Sequence, residues 1–187
     1  MLIPNVLNGF RSTGCVVIKQ KYKYFLRLLA DQSFKGWKHS GSFRYFCYML
    51  LRQISLEQAN SLNRNTLMEQ LGIECVEIGN DFVVATMPVD HRTHQPMGLL
   101  HGGASAALIE SIGSMGSTLL LDLTKEYPVG LEVNANHVGS VKSGSVKAIG
   151  KIVHAGRKTH LWQVDIFDQA TNKLVCTGRL TVMILQR

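Results

Sequence analysis

The sequence predicts an α+β domain in which an antiparallel sheet wraps around one long central helix. Three observations carry this. A single long apolar helical run, residues 102 to about 121, stands alone; two β-rich runs precede it and four follow it; and short turn signals separate neighbouring strands, which favours a meander over crossover connections.

The elements follow in order. Ser55 with Gln58, and Thr66 with Glu69, match the capping-box pattern, and Gly72 suits a helix end, so short helical segments are predicted over about 55–71. Residues 73–78 and 82–87 flank Gly79-Asn80-Asp81 and read as a hairpin that Pro88 closes. Residues 89–100 form a loop rich in His, Gln, Pro and Gly, and the central helix follows it. After Pro128 come strands over about 129–138, 145–154, 158–168 and 173–185, separated by Ser143-Gly144, Ala155-Gly156 and Ala170-Thr171-Asn172.

The chain has 187 residues, enough for one domain with some surplus, and a formal charge of +7. That charge is confined to one end. Residues 1–52 carry nine Lys and Arg against Asp31 alone, net +8, while residues 53–187 carry 11 against 12 acids, net −1. The part that reads as a folded domain therefore has no basic footprint, which argues against nucleic acid as a partner. The leader, residues 1–52, has three readings: a basic amphipathic membrane-surface anchor, an organelle-targeting segment, or an over-extended start with Met49 as the true first residue. The last is preferred, with membrane contact not expected and the domain running over 53–187. Cys15, Cys47, Cys75 and Cys176 form no Cys-x-x-Cys pair and no zinc spacing, and no run suits a membrane span, so reduced thiols in a cytoplasmic protein are expected. His91, His94 and His160 read as surface or loop residues, and no metal is called for.

The chemistry concentrates in residues 95–115. The helix carries Gly, Ala, Ser, Leu, Ile and Met on nearly all faces, which marks it as buried, and Glu110 is the only charge in its interior. An unpaired carboxylate there is costly unless it is paired or faces a cleft. At the start of the same helix, His101-Gly102-Gly103 offers free backbone N–H groups at the positive end of the helix dipole, a suitable polariser for a carbonyl oxygen. Taken singly, either feature has a plainer reading, a solvated Glu or a tight turn. Gly102 and Glu110 lie eight residues apart, about 12 Å along one helix, so a single carbonyl cannot touch both. Joint action needs a second subunit, and a symmetric dimer with two composite sites is expected.

Residues 54–185 resemble the hotdog-fold thioesterases of the phenylacetate-pathway type. Within them they are similar in particular to the branches that hydrolyse 1,4-dihydroxy-2-naphthoyl-CoA for menaquinone synthesis and that proofread enterobactin assembly. The resemblance rests on Ala85-Thr86-Met87-Pro88-Val89-Asp90, the stretch from Gln95 to Ser114, Gly130-Leu131-Glu132-Val133-Asn134-Ala135-Asn136-His137, and Trp162-Gln163-Val164-Asp165-Ile166-Phe167-Asp168. It implies a hotdog fold and hydrolysis of an acyl- or aroyl-CoA thioester to free acid and CoA. Glu110 would attack the carbonyl or activate water, Gln95 and His101 would place the thioester, and the Gly102 N–H would meet its oxygen. Ser114 and Met115 would line the site, and Gly130 and His137 would contact the aryl or pantetheine part. Val138-Gly139-Ser140 and His154-Ala155-Gly156-Arg157-Lys158-Thr159 would hold coenzyme A; for Arg157 and Lys158, hairpin-turn solvation is an equal reading. Coenzyme A is then part of the substrate and no cofactor is expected, and many relatives are homotetramers. A non-catalytic acyl-CoA sensor on the same fold is the alternative, disfavoured by the complete Gln95, His101 and Glu110 set and by a leader without a helix-turn-helix pattern.

Overall fold

A computed structural model describes residues 51–187; the first 50 residues, Met49 among them, lie outside the described residues. The described chain runs α1 (Leu56–Ser61), α2 (Leu67–Leu71), β1 (Glu74–Ile78), β2 (Phe82–Val89), α3 (Gly102–Leu120), β3 (Glu126–His137), β4 (Gly144–Ala155), β5 (Thr159–Asp168) and β6 (Leu174–Gln186).

Ser55 and Gln58 form the expected capping box, each side chain taking the other's backbone N–H at 3.1 Å. At α2 the pattern shifts by one residue. The Thr66 hydroxyl accepts from the Met68 N–H at 3.2 Å, but the Glu69 carboxylate accepts from Asn65, at φ 60, rather than from Thr66. Gly72, at φ 66, ends α2 in the left-handed region as a glycine can. Two asparagines fasten these helices to the sheet. The Asn60 amide donates to the Cys75 carbonyl at 2.9 Å and accepts from the Cys75 N–H at 2.8 Å, as a neighbouring strand would, while Asn63 donates to the Ile73 carbonyl at 2.9 Å.

The six strands form one antiparallel sheet in the order β1-β2-β4-β5-β6-β3, curled around α3. Pro88 and Pro128 sit inside strands, not at their limits. Pro88 pairs with Ser145 beyond the reach of β1, and Pro128 pairs with Ile184 on the edge strand β3, so each lies where only one neighbouring strand runs. Alternation along the strands sends Val83, Ala85, Met87, Val146, Ala148, Trp162, Val164, Ile166, Leu180 and Val182 into one core with Leu108, Ile109 and Ile112 of the helix. Glycines let helix and sheet close on each other: a Cβ on Gly116 would stand 2.2 Å from the Trp162 ring, and one on Gly150 would stand 2.4 Å from Ile112. The first described residues are firmly held. Leu51 is buried and its N–H donates to the Asn80 carbonyl, while the Arg52 backbone and guanidinium reach the Leu119 and Leu121 carbonyls at the end of α3. No helix among the described residues is long and apolar enough to cross a membrane.

Candidate active site

The loop before α3 is held by its own polar groups. Buried Thr93 donates to the Pro88 carbonyl at 2.9 Å and accepts from the Asp90 N–H at 3.1 Å. Arg92 pairs with Asp90 at 2.6 Å, and this holds the Asp90 carboxyl well below the usual carboxylate range. The loop then ties to both sides of the helix start, with the His101 N–H on the Thr93 carbonyl and the Leu100 N–H on the Val141 carbonyl, each at 2.8 Å. At its tip the Gln95 side-chain oxygen accepts the Met97 N–H. That bond fixes the amide with its NH₂ turned the other way.

His101 is the N-cap of α3, and its Nδ1 accepts the Gly103 N–H at 2.8 Å. The N–H groups of Ala104 and Ser105 go to the His101 carbonyl at 3.0 and 3.3 Å. Of the helix's first four donors, the Gly102 N–H alone makes no hydrogen bond among the described residues. Beside it lies His137, the last residue of β3, whose Nε2 stands 2.7 Å from where a Cβ on Gly102 would be.

Two turns along the helix, Glu110 is half-buried on the side that faces β3. The Ser114 hydroxyl, one turn further, donates to Glu110 Oε1 at 3.0 Å. Gly130 forms the opposite wall, so close that a Cβ there would stand 2.2 Å from Oε1. The β3 register slips between Gly130 and Glu132, so an irregularity lies beside the carboxylate. Met115, by contrast, points into the core at 8% exposure.

The remaining named residues fall into two groups far apart. Val138, Gly139 and Ser140 follow β3 at the Gly102 end, where the N–H groups of Val138 and Gly139 both bond the Val175 carbonyl. His154 to Thr159 make the β4–β5 turn, closed by the Gly156 N–H on the Thr159 carbonyl at 2.8 Å, with the His154 ring over Gly156 and with Arg157 and Lys158 exposed. One group precedes β4 and the other begins in its last two residues, so most of that 12-residue strand, roughly 30 Å, separates them within one chain.

Comparison with known proteins decides the class. A model of the thioesterase superfamily matches residues 97–175, which hold the helix and the strands after it. The 1,4-dihydroxy-2-naphthoyl-CoA hydrolase of Escherichia coli is 46% identical over 134 residues, 72% of this chain and 97% of that one. The chain belongs to the thioesterase superfamily. The proofreading thioesterase EntH of Cronobacter turicensis is 43% identical over 72% of this chain and 96% of its own length. A crystal structure of a mutant of the Pseudomonas aeruginosa thioesterase PA1618 superposes with a TM-score of 0.71 at 45% identity, covering 74% of this chain and 99% of that one. The expected hotdog fold and the assignment as a hydrolytic thioesterase both stand.

Sequence reasoning passed over two polar groupings of this thioesterase. His160, expected at the surface, is buried at 3% exposure, with Nδ1 3.1 Å from the Ser117 hydroxyl, which also accepts from the Trp162 indole at 2.9 Å. The alternation of β5 that buries Trp162 and Val164 also buries His160, and this was the available signal. On the sheet face away from α3, Asn134, Asn136, Gln163, Thr177 and Arg179 line a cavity of about 320 Å³. Their strand alternation places them opposite the core, so this cavity is separate from Glu110.

Proposed function

We propose that the protein hydrolyses an acyl-coenzyme A thioester with an aromatic acyl group, 1,4-dihydroxy-2-naphthoyl or one similar, and that it does so as a symmetric dimer with composite sites. The observation that supports this most is the carboxylate itself: Glu110 is held half-exposed between the Ser114 hydroxyl and Gly130, on the helix whose Gly102 N–H makes no hydrogen bond among the described residues. A carboxylate fixed in this way can attack the thioester carbonyl or take a proton from attacking water, and a free N–H at a helix start can hold the oxygen that becomes negative.

The placement of the other residues supports a second copy. The Gly102 and Val138-Gly139-Ser140 end of one chain lies far from its own Arg157 and Lys158. β3 is an edge strand with no partner on its outer side among the described residues, and it carries exposed Val129, Leu131 and Val133. Antiparallel pairing of two β3 edges about a two-fold axis brings the helix start of one chain toward Glu110 and the β4–β5 turn of the other. Gln95, His101 and Gly102 of one protomer then place the thioester, Glu110 with Ser114 of its partner acts on it, and Arg157 and Lys158 meet the nucleotide phosphates. A homotetramer built from two such dimers and a cytoplasmic location belong to the same reading, the latter supported by the free thiols of Cys75 and Cys176. Coenzyme A arrives with the substrate, and the reading calls for no cofactor or metal.

The test is thiol release from 1,4-dihydroxy-2-naphthoyl-, benzoyl-, phenylacetyl- and medium-chain acyl-CoA by the full chain and by Glu110→Gln. Release that favours the aroyl esters and falls by orders of magnitude in the variant is the expected result. Tight ester binding without release would replace the reading with a non-catalytic acyl-CoA sensor.

A further inference from the structure

We propose that His94 is a positioning residue for Gln95, its ring holding the Gln95 arm of the loop before α3 against the chain that follows β3; this rests on thioester hydrolysis with Gln95 at the substrate. The sequence reads His94 as a surface or loop histidine, and the structure gives its ring a bond. Nε2 lies 2.9 Å from the Lys142 carbonyl oxygen, and because a carbonyl only accepts, Nε2 carries the hydrogen and donates it.

The support is what holds this loop in place. Residues 94–100 fold back on themselves. His94 and Leu100 face each other in an isolated antiparallel bridge, the Gln95 N–H donates to the Leu99 carbonyl at 2.8 Å, and the Gly98 N–H donates to the Gln95 carbonyl at 2.9 Å. These bonds shape the loop without anchoring it. Its tip is bare: Pro96, Met97 and Gly98 are exposed, and a Cβ on Gly98, at φ 72, would meet no atom within 4 Å. Among the described residues, two hydrogen bonds join residues 94–100 to the chain outside them, and both reach consecutive carbonyls after β3. The Leu100 N–H goes to Val141 at 2.8 Å, and the His94 ring goes to Lys142.

The two arms of the loop are anchored unequally. Leu100 has its backbone bond, packs against the core and runs directly into the helix cap at His101. On the other arm, buried Thr93 fixes the base through the Pro88 carbonyl, and past it the His94 ring is the last attachment before Gln95. The Gln95 amide is already set against its own loop by the Met97 N–H. What the ring bond settles is where that loop stands against the body of the domain. A group that places a reacting carbonyl acts through its position, so a small displacement of it lowers turnover. Lys142 also lies two residues past Val138-Gly139-Ser140, and a role in holding coenzyme A through that segment is the competing explanation.

Kinetics of the full chain on the aroyl ester that wild type hydrolyses fastest separate the two. In His94→Phe, which keeps a ring and loses the donor, kcat should fall by about five- to tenfold, the effect of one ordinary hydrogen bond, while the inhibition constant of free coenzyme A moves by less than about twofold. His94→Gln, whose amide N–H reaches the place of Nε2, should keep kcat within about twofold of wild type. An effect that passes through Gln95 has to vanish once Gln95 is gone. The residual turnover of Gln95→Ala, read at high enzyme concentration against a Glu110→Gln blank, should therefore change by less than about twofold when His94→Phe is added. A His94→Phe enzyme with the kcat of wild type, a raised inhibition constant for coenzyme A, a Gln variant no better than Phe, or losses that multiply in the double variant each overturn the proposal and leave thioester hydrolysis intact. A wild-type protein that releases no thiol from any ester overturns both.

Discussion

The Ser117 hydroxyl takes the indole hydrogen of Trp162 and shares a hydrogen bond with His160 Nδ1, a chain of three side chains sealed between α3 and β5. Burial pushes the His160 pKa down to about 4; the neighbouring His154 works in the same direction and Glu126 against it. The folded protein thus refuses a proton that the unfolded chain accepts below the ordinary value of about 6.5. Stability from this group is complete above pH 6.5 and is lost as pH falls toward 4, by a total on the order of 3 kcal/mol. Urea unfolding of wild type and His160→Asn across that range should show the difference narrowing as pH falls; parallel curves would contradict the assignment. At the site, Gly130→Ala puts a methyl where the Glu110 carboxylate now rests, and the flexible Glu side chain is what yields. Turnover should drop by about tenfold or more with the melting temperature nearly unchanged, as kinetics and calorimetry together would show.

Among the elements, α3 was the most legible in the sequence. A helix apolar on all sides has to be the centre of something, and the one charge within it has to face an opening, so the helix span and Glu110 followed from composition. Strands were legible because Gly, Asn and Ser mark their turns, but their limits were not. Pro88 and Pro128 look like strand ends in a sequence and become interior residues only because neighbours are missing on one side, which is a property of sheet order. Facing was hidden for the same reason. Met115 and Ser114 are adjacent, and the rotation of the helix sends one into the core and the other to Glu110. Gly113, Gly116 and Gly150 read as weak positions in regular elements, yet they set the helix-to-sheet distance. Gly116→Ala would press a methyl into the fully buried Trp162, which has no room to retreat, and should destabilise the protein by roughly 1–3 kcal/mol or more in denaturant titration.

On the scale of the whole molecule, a composite site makes a prediction that no single-chain site can match. Glu110→Gln and Gln95→Ala are each expected to be nearly inactive. A mixed dimer of the two holds one site with both lesions and one with neither. After equal mixing and subunit exchange, activity should rise to about a quarter of wild type, half of the sites in the half of dimers that are mixed. Mixtures no more active than their parents would show that each chain works alone.

The side of β3 that has no neighbour among the described residues has a meaning for colloidal behaviour as well. Its 12 residues expose a row of backbone donors and acceptors flanked by Val129, Leu131 and Val133, which is a template for any extended chain that drifts past. A two-fold partner closes that row once, whereas a stranger with an edge of its own leaves a new one open and growth continues. The first symptom of a damaged pairing surface would then be turbidity rather than lost turnover, and the concentration that sustains pairing would set the shelf life of the purified protein.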